Sequence, residues 1–372
     1  MIIKKAGKTA VKAAARPAVK PGAKALQKKP IDLKSQAKLA VKLAAKAIPP
    51  GPKQTVAASV APSSAPAAAA PRSPAPPARP AGSGPVARPA PSAPAPKTKR
   101  ANGAVKVGVV GCAGRMGQML LKMLISAPGI VVVGGTERKG SIALGQDIGA
   151  LAGSDPLGIS VGDDPSLLFD ASDVVVDFTN PTATVSHAQM AARTGCALVI
   201  GTTGFDTDQL NSLYRAAQRA PIVLAANMSL GINLLQQVVE EVARILDPDW
   251  DIEIIEMHHR QKIDAPSGTA LMLGRAAADG RGIALDKHSV KSRDGHTGVR
   301  KVGDIGFAAL RGGTVVGEHS VIFSGAAERV ELAHKADDRM IFARGALHAA
   351  RWARTQKPGL YSMMDVLGLK DF

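Results

Sequence analysis

The chain has few cysteines and few aromatic residues. Two cysteines among 372 residues, Cys112 and Cys196, cannot form the disulfide framework of a small secreted domain, and they indicate a reducing, cytoplasmic location. Residues 1–104 contain no aromatic side chain, which argues against a segment that stacks and reads nucleic-acid bases. No apolar run is long enough to span a membrane, and the apolar start of the chain is too short for a signal peptide.

Acidic residues are nearly missing from the same segment. Residues 1–104 hold twenty of the 47 Lys and Arg residues but a single acid, Asp32, whereas residues 105–372 carry a net charge of −2. Ala, Lys and Pro dominate this extension, so we predict that it is disordered, with a transient basic helix over 33–48 and an extended linker over 49–98. We interpret it as a solubilising extension; the alternatives are a transit peptide or weak contact with nucleic acid or an anionic membrane.

A glycine-rich turn follows the extension. Residues 105–110 form an apolar run that predicts a buried parallel strand, and apolar residues at helical spacing follow Gly117. Strand, glycine turn and helix are the context of a dinucleotide fingerprint, although Gly-x-x-Gly-x-x-Gly departs from the commoner spacing. The predicted cofactor contacts in this turn are Gly111, Cys112, Ala113, Gly114, Arg115 and Met116.

An acidic residue stands where such folds bind ribose. Glu137 follows a second predicted strand, twenty residues after Gly117. Its carboxylate can accept a hydrogen bond from a ribose hydroxyl, and the adjacent Arg138 and Lys139 could face a 2′-phosphate. The alternative is that Glu137, Arg138 and Lys139 form an ordinary solvated loop; we favour contact with the cofactor.

Strands and helices alternate from residue 105 to residue 227, including a helix from Pro181 to about Thr194. This alternation predicts an α/β fold with a Rossmann-like, doubly wound parallel sheet, whose ligands bind at the carboxyl ends of the strands. The residues at these strand ends have two interpretations: they form ordinary turns, or they line the site of the nicotinamide half of the cofactor. They are Phe178, Thr179, Gly201, Thr202, Thr203, Ala225, Ala226, Asn227 and Met228.

The alternation stops near residue 231. Strands without intervening helices follow, and residues 304–310 and 314–323 around Gly312-Gly313 predict a hairpin. We therefore expect a dinucleotide-binding domain over 105–229 and a smaller α+β domain with a mostly antiparallel sheet over 230–340. Residues 341–372 should return to the first domain. An open sheet of this kind often pairs with copies of itself, so we expect a homo-oligomer.

Proton donors are concentrated in residues 258–269, His-His-Arg-Gln-Lys-Ile-Asp-Ala-Pro-Ser-Gly-Thr. A predicted strand precedes them and a predicted helix follows, whose free N–H groups favour an anion. His258, His259 and Lys262 beside such a site indicate catalysis on a carboxylated substrate. The alternatives are an ordinary pair of core and surface histidines, or a zinc site. No further ligand stands at a zinc-binding spacing, so we expect no metal.

Together these residues resemble the dihydrodipicolinate reductase family of lysine and diaminopimelate biosynthesis. The match covers essentially all of residues 105–372 and includes several motifs, and the basic extension departs from the family. They are Gly111-Cys-Ala-Gly-Arg-Met-Gly117, Glu137-Arg138, Gly201-Thr-Thr-Gly-Phe205, Ala226-Asn-Met-Ser-Leu-Gly-Ile-Asn233, the long motif from Glu256 to Ala270, Ser292-Arg-Asp-Gly-His-Thr-Gly298 and Gly317-Glu-His319. The resemblance implies hydride transfer from NADH or NADPH to a cyclic dicarboxylated imine by a cytoplasmic homotetramer.

The resemblance also implies a role for each residue of the loop. Lys262 would be the proton donor and His258 an acid/base, while His259, Gly268 and Thr269 would hold the substrate carboxylates. Two other hypotheses compete with this one. A different Rossmann reductase, such as an aspartate or homoserine dehydrogenase, would not need the histidine–lysine loop. A non-catalytic nucleotide-sensing or nucleic-acid-tethering protein would not need Lys262 and His258.

Overall fold

The computed structural model describes residues 103–369. The predictions of disorder, of a transient basic helix and of an extended linker fall on residues 1–102, which lie outside the described residues. Within residues 103–369, no helix combines the length and the apolarity needed to cross a bilayer.

Six strands form the first sheet: β1 (Val105–Val110), β2 (Ile130–Thr136), β3 (Val174–Asp177), β4 (Ala197–Ile200), β5 (Pro221–Leu224) and β11 (Gly359–Tyr361). Their order is β11-β5-β4-β3-β1-β2, and every pairing is parallel. The chain reverses its direction of progress across the sheet between β1 and β3. This is the switch point at which doubly wound sheets bind their ligands, and it confirms the predicted Rossmann-like class.

Helices cover both faces of this sheet: α1 (Arg115–Ile125), α2 (Ile148–Leu151), α3 (Pro165–Ala171), α4 (Pro181–Thr194), α5 (Thr207–Ala217), α9 (Met340–Ala353) and α10 (Met363–Leu367). One core packs Val107 and Val109 against Leu120 of α1 and Ala346 of α9. A second core surrounds Phe169 on the opposite face. Because both faces are buried, the strands are continuous apolar runs and lack the alternation of a half-exposed strand.

Five strands form the second sheet: β6 (Asp251–His258), β7 (Ser289–Val290), β8 (Ile305–Arg311), β9 (Gly317–Ser324) and β10 (Arg329–Ala336). Their order is β10-β9-β6-β8-β7; β9 pairs antiparallel with β6 and β10, while β8 pairs parallel with β6 and β7. Most residue pairs are therefore antiparallel, as predicted. One face is covered by α6 (Leu230–Ile245), α7 (Gly268–Gly280) and α8 (Leu285–His288), around a core that includes Ile254, Phe307 and Phe323.

The predicted hairpin of residues 304–310 and 314–323 is wrong. β8 and β9 lie on opposite sides of β6, so the Gly312-Gly313 turn crosses the end of β6. Its backbone is bonded there: the N–H of Gly312 donates to the carbonyl of His258 (3.0 Å), and the N–H of His259 donates to the carbonyl of Val315 (2.7 Å). A glycine turn between two apolar runs predicts a hairpin locally, but a distant strand occupies the position between them.

The chain returns to the first sheet at its C-terminal end. β11 lies parallel to β5 at the edge of that sheet, and α9 packs against α1. The guanidinium of Arg354, just beyond α9, donates to the carbonyl of Gly103 at 2.8 Å. The C-terminal segment therefore adds an edge strand to the first sheet, and it adds a helix to the layer that contains α1.

Candidate active site

The glycine turn joins the end of β1 to the start of α1. Gly111 has a φ of 68°, in the left-handed region, and its N–H donates to the carbonyl of Thr136 (2.8 Å). A Cβ at Gly117 would lie 2.2 Å from the oxygen of Gly111 and 2.6 Å from that of Cys112, so only glycine lets α1 begin this close to the turn. Gly114 is the N-cap of α1 and offers no side-chain cap, which leaves the helix N-terminus open to an anion.

Glu137 lies beside this turn at the end of β2. Its Oε1 atom accepts a hydrogen bond from the N–H of Ala113 at 2.8 Å, and its own N–H donates to the carbonyl of Gly162 at 2.9 Å. The carboxylate is thus held against the glycine turn, where the ribose of a dinucleotide would meet it. Arg138 follows it and is exposed.

The ends of β3 and β4 meet the glycine turn at the switch point. A Cβ on Gly201 would lie 2.0 Å from the ring of Phe178, and a Cβ on Gly111 would lie 2.7 Å from the side chain of Thr179. The N–H of Ala225 donates to the carbonyl of Ile200 at 3.1 Å, which places the end of β5 beside them. The structure therefore brings together the three strand ends that the sequence predicted.

Several predicted cofactor residues can offer only backbone atoms. The side chains of Cys112 and Met228 are buried in the core, and burial together with Glu137 raises the pKa of the Cys112 thiol to about 12. Thr202 is also buried; its hydroxyl accepts from that of Thr184 at 3.0 Å and donates to Asp177 at 3.4 Å. At these positions the backbone, and not the side chain, is therefore the part that can contact a cofactor.

A groove of about 780 Å³ runs from the glycine turn along α1. Its lining includes Gly111, Gly114, Arg115 and Met116, together with Phe178 and Arg339. Glu137 and the ends of β4 and β5 lie outside this lining, so the groove corresponds to the phosphate part of a dinucleotide site. An open helix N-terminus, a glycine turn and an anchored carboxylate fit a nicotinamide dinucleotide.

His258 is the last residue of β6 and is buried. Its Nδ1 atom lies 2.5 Å from Oε2 of Glu256, which shares the same face of the strand. The Glu256 carboxylate also accepts from both terminal nitrogens of Arg311, at 2.8 Å each, and from the N–H of Ser267 at 3.1 Å. Burial alone would raise the pKa of Glu256, but the hydrogen bonds from His258 and Arg311 outweigh it and lower the pKa to about 2.

Lys262 lies in the loop between β6 and α7. Its Nζ atom is 2.7 Å from Oδ1 of Asp264, and its side chain is 21% exposed. Partial burial opposes ionisation of Asp264, but the bond from the Lys262 ammonium holds the pKa of that carboxyl below its usual value. Arg311 donates to the carbonyl of Asp264 at 2.6 Å, so the guanidinium that binds Glu256 also fixes this loop.

The N-terminus of α7 carries two of the predicted substrate residues. Ser267 is the N-cap, and its hydroxyl accepts from the N–H of Ala270 at 3.1 Å. Gly268 and Thr269 occupy the first helical positions, where the N–H groups have no acceptor within the helix. Oγ1 of Thr269 accepts from Nδ2 of Asn227 at 3.1 Å, which leaves the hydroxyl hydrogen free to donate. This end of the helix can therefore receive a carboxylate.

His259 connects the loop to the cofactor groove. Its Nε2 atom accepts from the guanidinium of Arg339 at 3.3 Å, and desolvation and the nearby Arg339 cation lower the pKa of His259. A second groove of about 350 Å³ is lined by His259, Arg260, Gln261 and Thr314. Arg115 and Arg339 line both grooves, so the two grooves are contiguous.

Three charged residues of this site were not identified as functional from the sequence: Glu256, Arg311 and Arg339. Glu256 stands two residues before His258, so the period of a strand could have placed both on one face. Arg311 is 55 residues away from Glu256 on β8, and no local pattern connects the two. Arg339 follows the second sheet, and only the return of the chain brings it to His259.

Comparisons with known proteins agree with this geometry. The family model for the N-terminus of dihydrodipicolinate reductase matches residues 105–228, and the model for its C-terminus matches residues 231–367. A 4-hydroxy-tetrahydrodipicolinate reductase of Rhodopseudomonas palustris (strain BisB18) is 57% identical over 263 residues, which are 71% of this chain and 97% of that protein. The Mesorhizobium japonicum protein called 4-hydroxy-tetrahydrodipicolinate reductase 1 is 58% identical over 70% of this chain and 96% of its own length.

Among solved structures, a dihydrodipicolinate reductase from Paenisporosarcina sp. TG-14 with dipicolinate bound superposes with a TM-score of 0.56. It is 24% identical in sequence, and the match covers 70% of this chain and 98% of that one. At this identity the likeness supports the two-sheet fold alone. The family matches begin at residue 105, so the basic extension has no counterpart in them.

Proposed function

The chain belongs to the dihydrodipicolinate reductase family, and we propose how its residues carry out the family's reaction. The enzyme reduces 4-hydroxy-tetrahydrodipicolinate to tetrahydrodipicolinate with NADH or NADPH, in lysine and diaminopimelate biosynthesis. One observation carries the assignment of residues: the histidine–lysine loop ends on the N-terminus of α7, and the Asn227–Thr269 hydrogen bond joins that terminus to the cofactor-binding strand ends.

The cofactor lies over the carboxyl ends of the first sheet. The glycine turn and Arg115 hold the pyrophosphate, because the N-terminus of α1 favours an anion. Glu137 accepts from a ribose hydroxyl and Arg138 faces a 2′-phosphate. The backbone of residues 201–203 and 225–228 holds the nicotinamide half, which supplies the hydride when the reduced cofactor is bound.

The substrate lies between that position and α7. 4-Hydroxy-tetrahydrodipicolinate first loses its hydroxyl group as water, which gives dihydrodipicolinate. This dihydro ring becomes tetrahydrodipicolinate by gaining one hydride and one proton, and Lys262 donates the proton from Nζ. His258 acts with it as an acid/base at the end of β6. His259 and the N–H groups of Gly268 and Thr269 hold the two carboxylates, which also orients the ring for hydride transfer.

This assignment is tested with freshly generated substrate. The full chain should oxidise NADPH or NADH only when the cyclic dicarboxylate is supplied. The loss of nicotinamide absorbance measures this oxidation. Dipicolinate, a planar dicarboxylate that cannot be reduced in the same way, should inhibit competitively. Consumption of the cofactor that is insensitive to dipicolinate would place the substrate elsewhere.

Cofactor choice is expected to depend on Arg138. Arg138→Ala should weaken NADPH binding by about 1–3 kcal/mol, the value of a charge-assisted hydrogen bond, and should leave NADH nearly unchanged. Glu137→Ala should shift the preference the other way, because the carboxylate repels a 2′-phosphate. Steady-state kinetics with both cofactors measure the effect, with Arg193→Ala, at an exposed arginine in the last turn of α4, as the control. Equal losses for NADH and NADPH in Arg138→Ala would show that Arg138 does not read the phosphate.

Substrate binding is expected to depend on the hydroxyl of Thr269. Thr269→Val should raise the substrate KM by roughly tenfold, because one hydrogen bond to a carboxylate is worth about 1–2 kcal/mol. Thr269→Ser keeps the hydroxyl and should stay near the wild-type KM. An effect confined to kcat, measured in the same assay, would remove Thr269 from the carboxylate site.

We further propose the organisation of the molecule. Residues 105–229 and the returning segment 341–372 bind the cofactor, and residues 230–340 bind the substrate. The face of the second sheet that α6 and α7 leave uncovered exposes Ile255 and Leu310, at 37% and 50%. This face supports assembly into a homo-oligomer, a tetramer by analogy with the family. The two free, buried cysteines support a cytoplasmic location.

A further inference from the structure

Glu256 is a buried carboxylate that the proposed mechanism does not use. It is 1% exposed, yet it accepts four hydrogen bonds: two from Arg311, one from the N–H of Ser267 and one from Nδ1 of His258. An ionised carboxylate is seldom buried in this way without a specific set of donors. The two nitrogens of Arg311 and the N–H of Ser267 hold the carboxylate in place. The fourth donor, Nδ1 of His258, therefore bonds to an acceptor that is already fixed.

The Glu256 carboxylate determines which nitrogen of His258 carries hydrogen. With a pKa of about 2, Glu256 is ionised at neutral pH and can only accept hydrogen bonds. Nδ1 of His258 must then be the N–H donor, and the lone pair of the neutral ring lies on Nε2. A Cβ at position 317 would lie 3.0 Å from Nε2, so Gly317 keeps space beside that atom.

The other polar groups around His258 do not compete for Nδ1. His319 of β9 meets the His258 ring edge-on, with centroids 5.1 Å apart, and burial lowers the pKa of His319 to about 3, so it stays neutral. Its Nε2 is bonded to the hydroxyl of Ser267 at 3.0 Å. Glu256 and His319 contact the His258 ring directly, and His259 interacts with it electrostatically. Arg311 acts on it through Glu256, and Lys262 is paired with Asp264.

We propose that Glu256, held by Arg311, is the positioning residue of His258: it fixes the imidazole with Nδ1–H toward the carboxylate, so that Nε2 exchanges the proton in the active site. The proposal rests on the assignment of His258 as an acid/base. Arg311 has a second function in it, because the same guanidinium binds the carbonyl of Asp264 and so links the histidine to the loop that carries Lys262. Arg311 therefore fixes the position of the Lys262 loop relative to the end of β6.

Glu256→Gln is the sharpest variant, because it keeps the shape and changes one acceptor into a donor. If the new amide places its NH₂ group beside Ser267, that group meets two other hydrogen-bond donors, the Ser267 N–H and one nitrogen of Arg311. If it places its NH₂ group beside His258, it meets only one donor that cannot adapt, the other nitrogen of Arg311, because His258 can move its hydrogen to Nε2. The variant should therefore adopt the wrong tautomer and lose the lone pair on Nε2.

We expect Glu256→Gln to lower kcat by about 10–100-fold, the usual loss for a group that orients a catalytic residue, with substrate and cofactor KM within a few-fold of wild type. Glu256→Gln/His258→Gln should lose clearly less than the two single losses combined, because the tautomer that Glu256 fixes no longer exists once the ring is removed. Glu253→Gln is the matched control: it removes an arginine-paired carboxylate on the same strand without a contact to His258, and it should keep the wild-type kcat.

A spectroscopic test on the unaltered enzyme separates this proposal from the proposed reaction. In the protein labelled with ¹⁵N-histidine, the signals absent from His258→Gln should show Nδ1 as the protonated nitrogen at neutral pH. This readout needs neither turnover nor a stable Glu256 variant. Protonation at Nε2, a wild-type kcat in Glu256→Gln, or additive losses in the double variant would each overturn the positioning role.

Discussion

Lys262→Ala is expected to lower kcat by about 10²–10⁴, the usual contribution of a positioned acid, with cofactor binding little changed. The Lys262 ammonium is held by Asp264 at 2.7 Å in a loop that Arg311 anchors, so its position is fixed before the substrate arrives. No other lysine lies in residues 258–269, so no neighbour in the loop can replace the proton it donates. Single-turnover measurement of nicotinamide oxidation reports the loss directly.

Lys262→Arg separates the charge of this side chain from its acidity. A guanidinium keeps the positive charge near the carboxylates but does not give up a proton at working pH. We expect a substrate KM close to wild type and a kcat nearly as low as that of Lys262→Ala. Lys357→Ala, at an exposed lysine far from the loop, is the surface control. If kcat of Lys262→Ala stays within a few-fold of wild type, Lys262 is not the proton donor.

Gly117→Ala is expected to damage cofactor binding and stability together. The added methyl group would lie 2.2 Å and 2.6 Å from two carbonyl oxygens of the glycine turn. Backbone carbonyls cannot rotate away as a side chain does, so the turn and the start of α1 must separate. Overpacking of this kind costs about 1–3 kcal/mol of unfolding free energy. Because the displaced N–H groups are those that we propose to bind the pyrophosphate, the dissociation constant of NADPH should rise at least ~10-fold.

Urea denaturation and NADPH fluorescence titration measure the two effects. Gly162→Ala is the matched control, because a methyl group there meets no atom within 4 Å and the residue lies in the same domain. Its unfolding free energy should change by less than about 0.5 kcal/mol apart from the backbone preference of alanine. A Gly117→Ala protein that binds NADPH with wild-type affinity would show that the turn is not the pyrophosphate site.

Elements of the first domain could be predicted closely because their signals are local. α4 runs from Pro181 to Thr194, as predicted, since Asn180 caps its first turn and Gly195 adopts the left-handed conformation that ends it. In the second sheet, β6, β8 and β9 were also recognised from local patterns, but the two-residue strand β7 and the pairing of the strands were not. The turn at Gly312-Gly313 indicated that β8 and β9 pair with each other. In the structure β6, which is distant from both in sequence, lies between them and pairs with each.

The same distinction applies to the site. His258, Lys262 and Thr269 stand in one short motif, so their grouping was evident from the sequence. The Arg311–Glu256 pair and the Arg339–His259 contact depend on strands and segments that only the tertiary fold brings together. The burial of individual side chains could not be predicted either: Cys112 and Met228 belong to segments that were predicted to bind the cofactor, but their side chains are buried in the core.

Transfer of deuterium tests most directly the claim that this site passes a hydride to a cyclic dicarboxylated imine. The full chain is supplied with the freshly generated substrate and with NADPH deuterated at both positions of the reducing carbon, and the product is analysed by mass spectrometry. We expect one carbon-bound deuterium per product and one NADPH oxidised for each, with no oxidation when aspartate semialdehyde, or oxaloacetate with ammonia, replaces the ring. Deuterium found in a linear product from either of those compounds, and none in the ring, would contradict it.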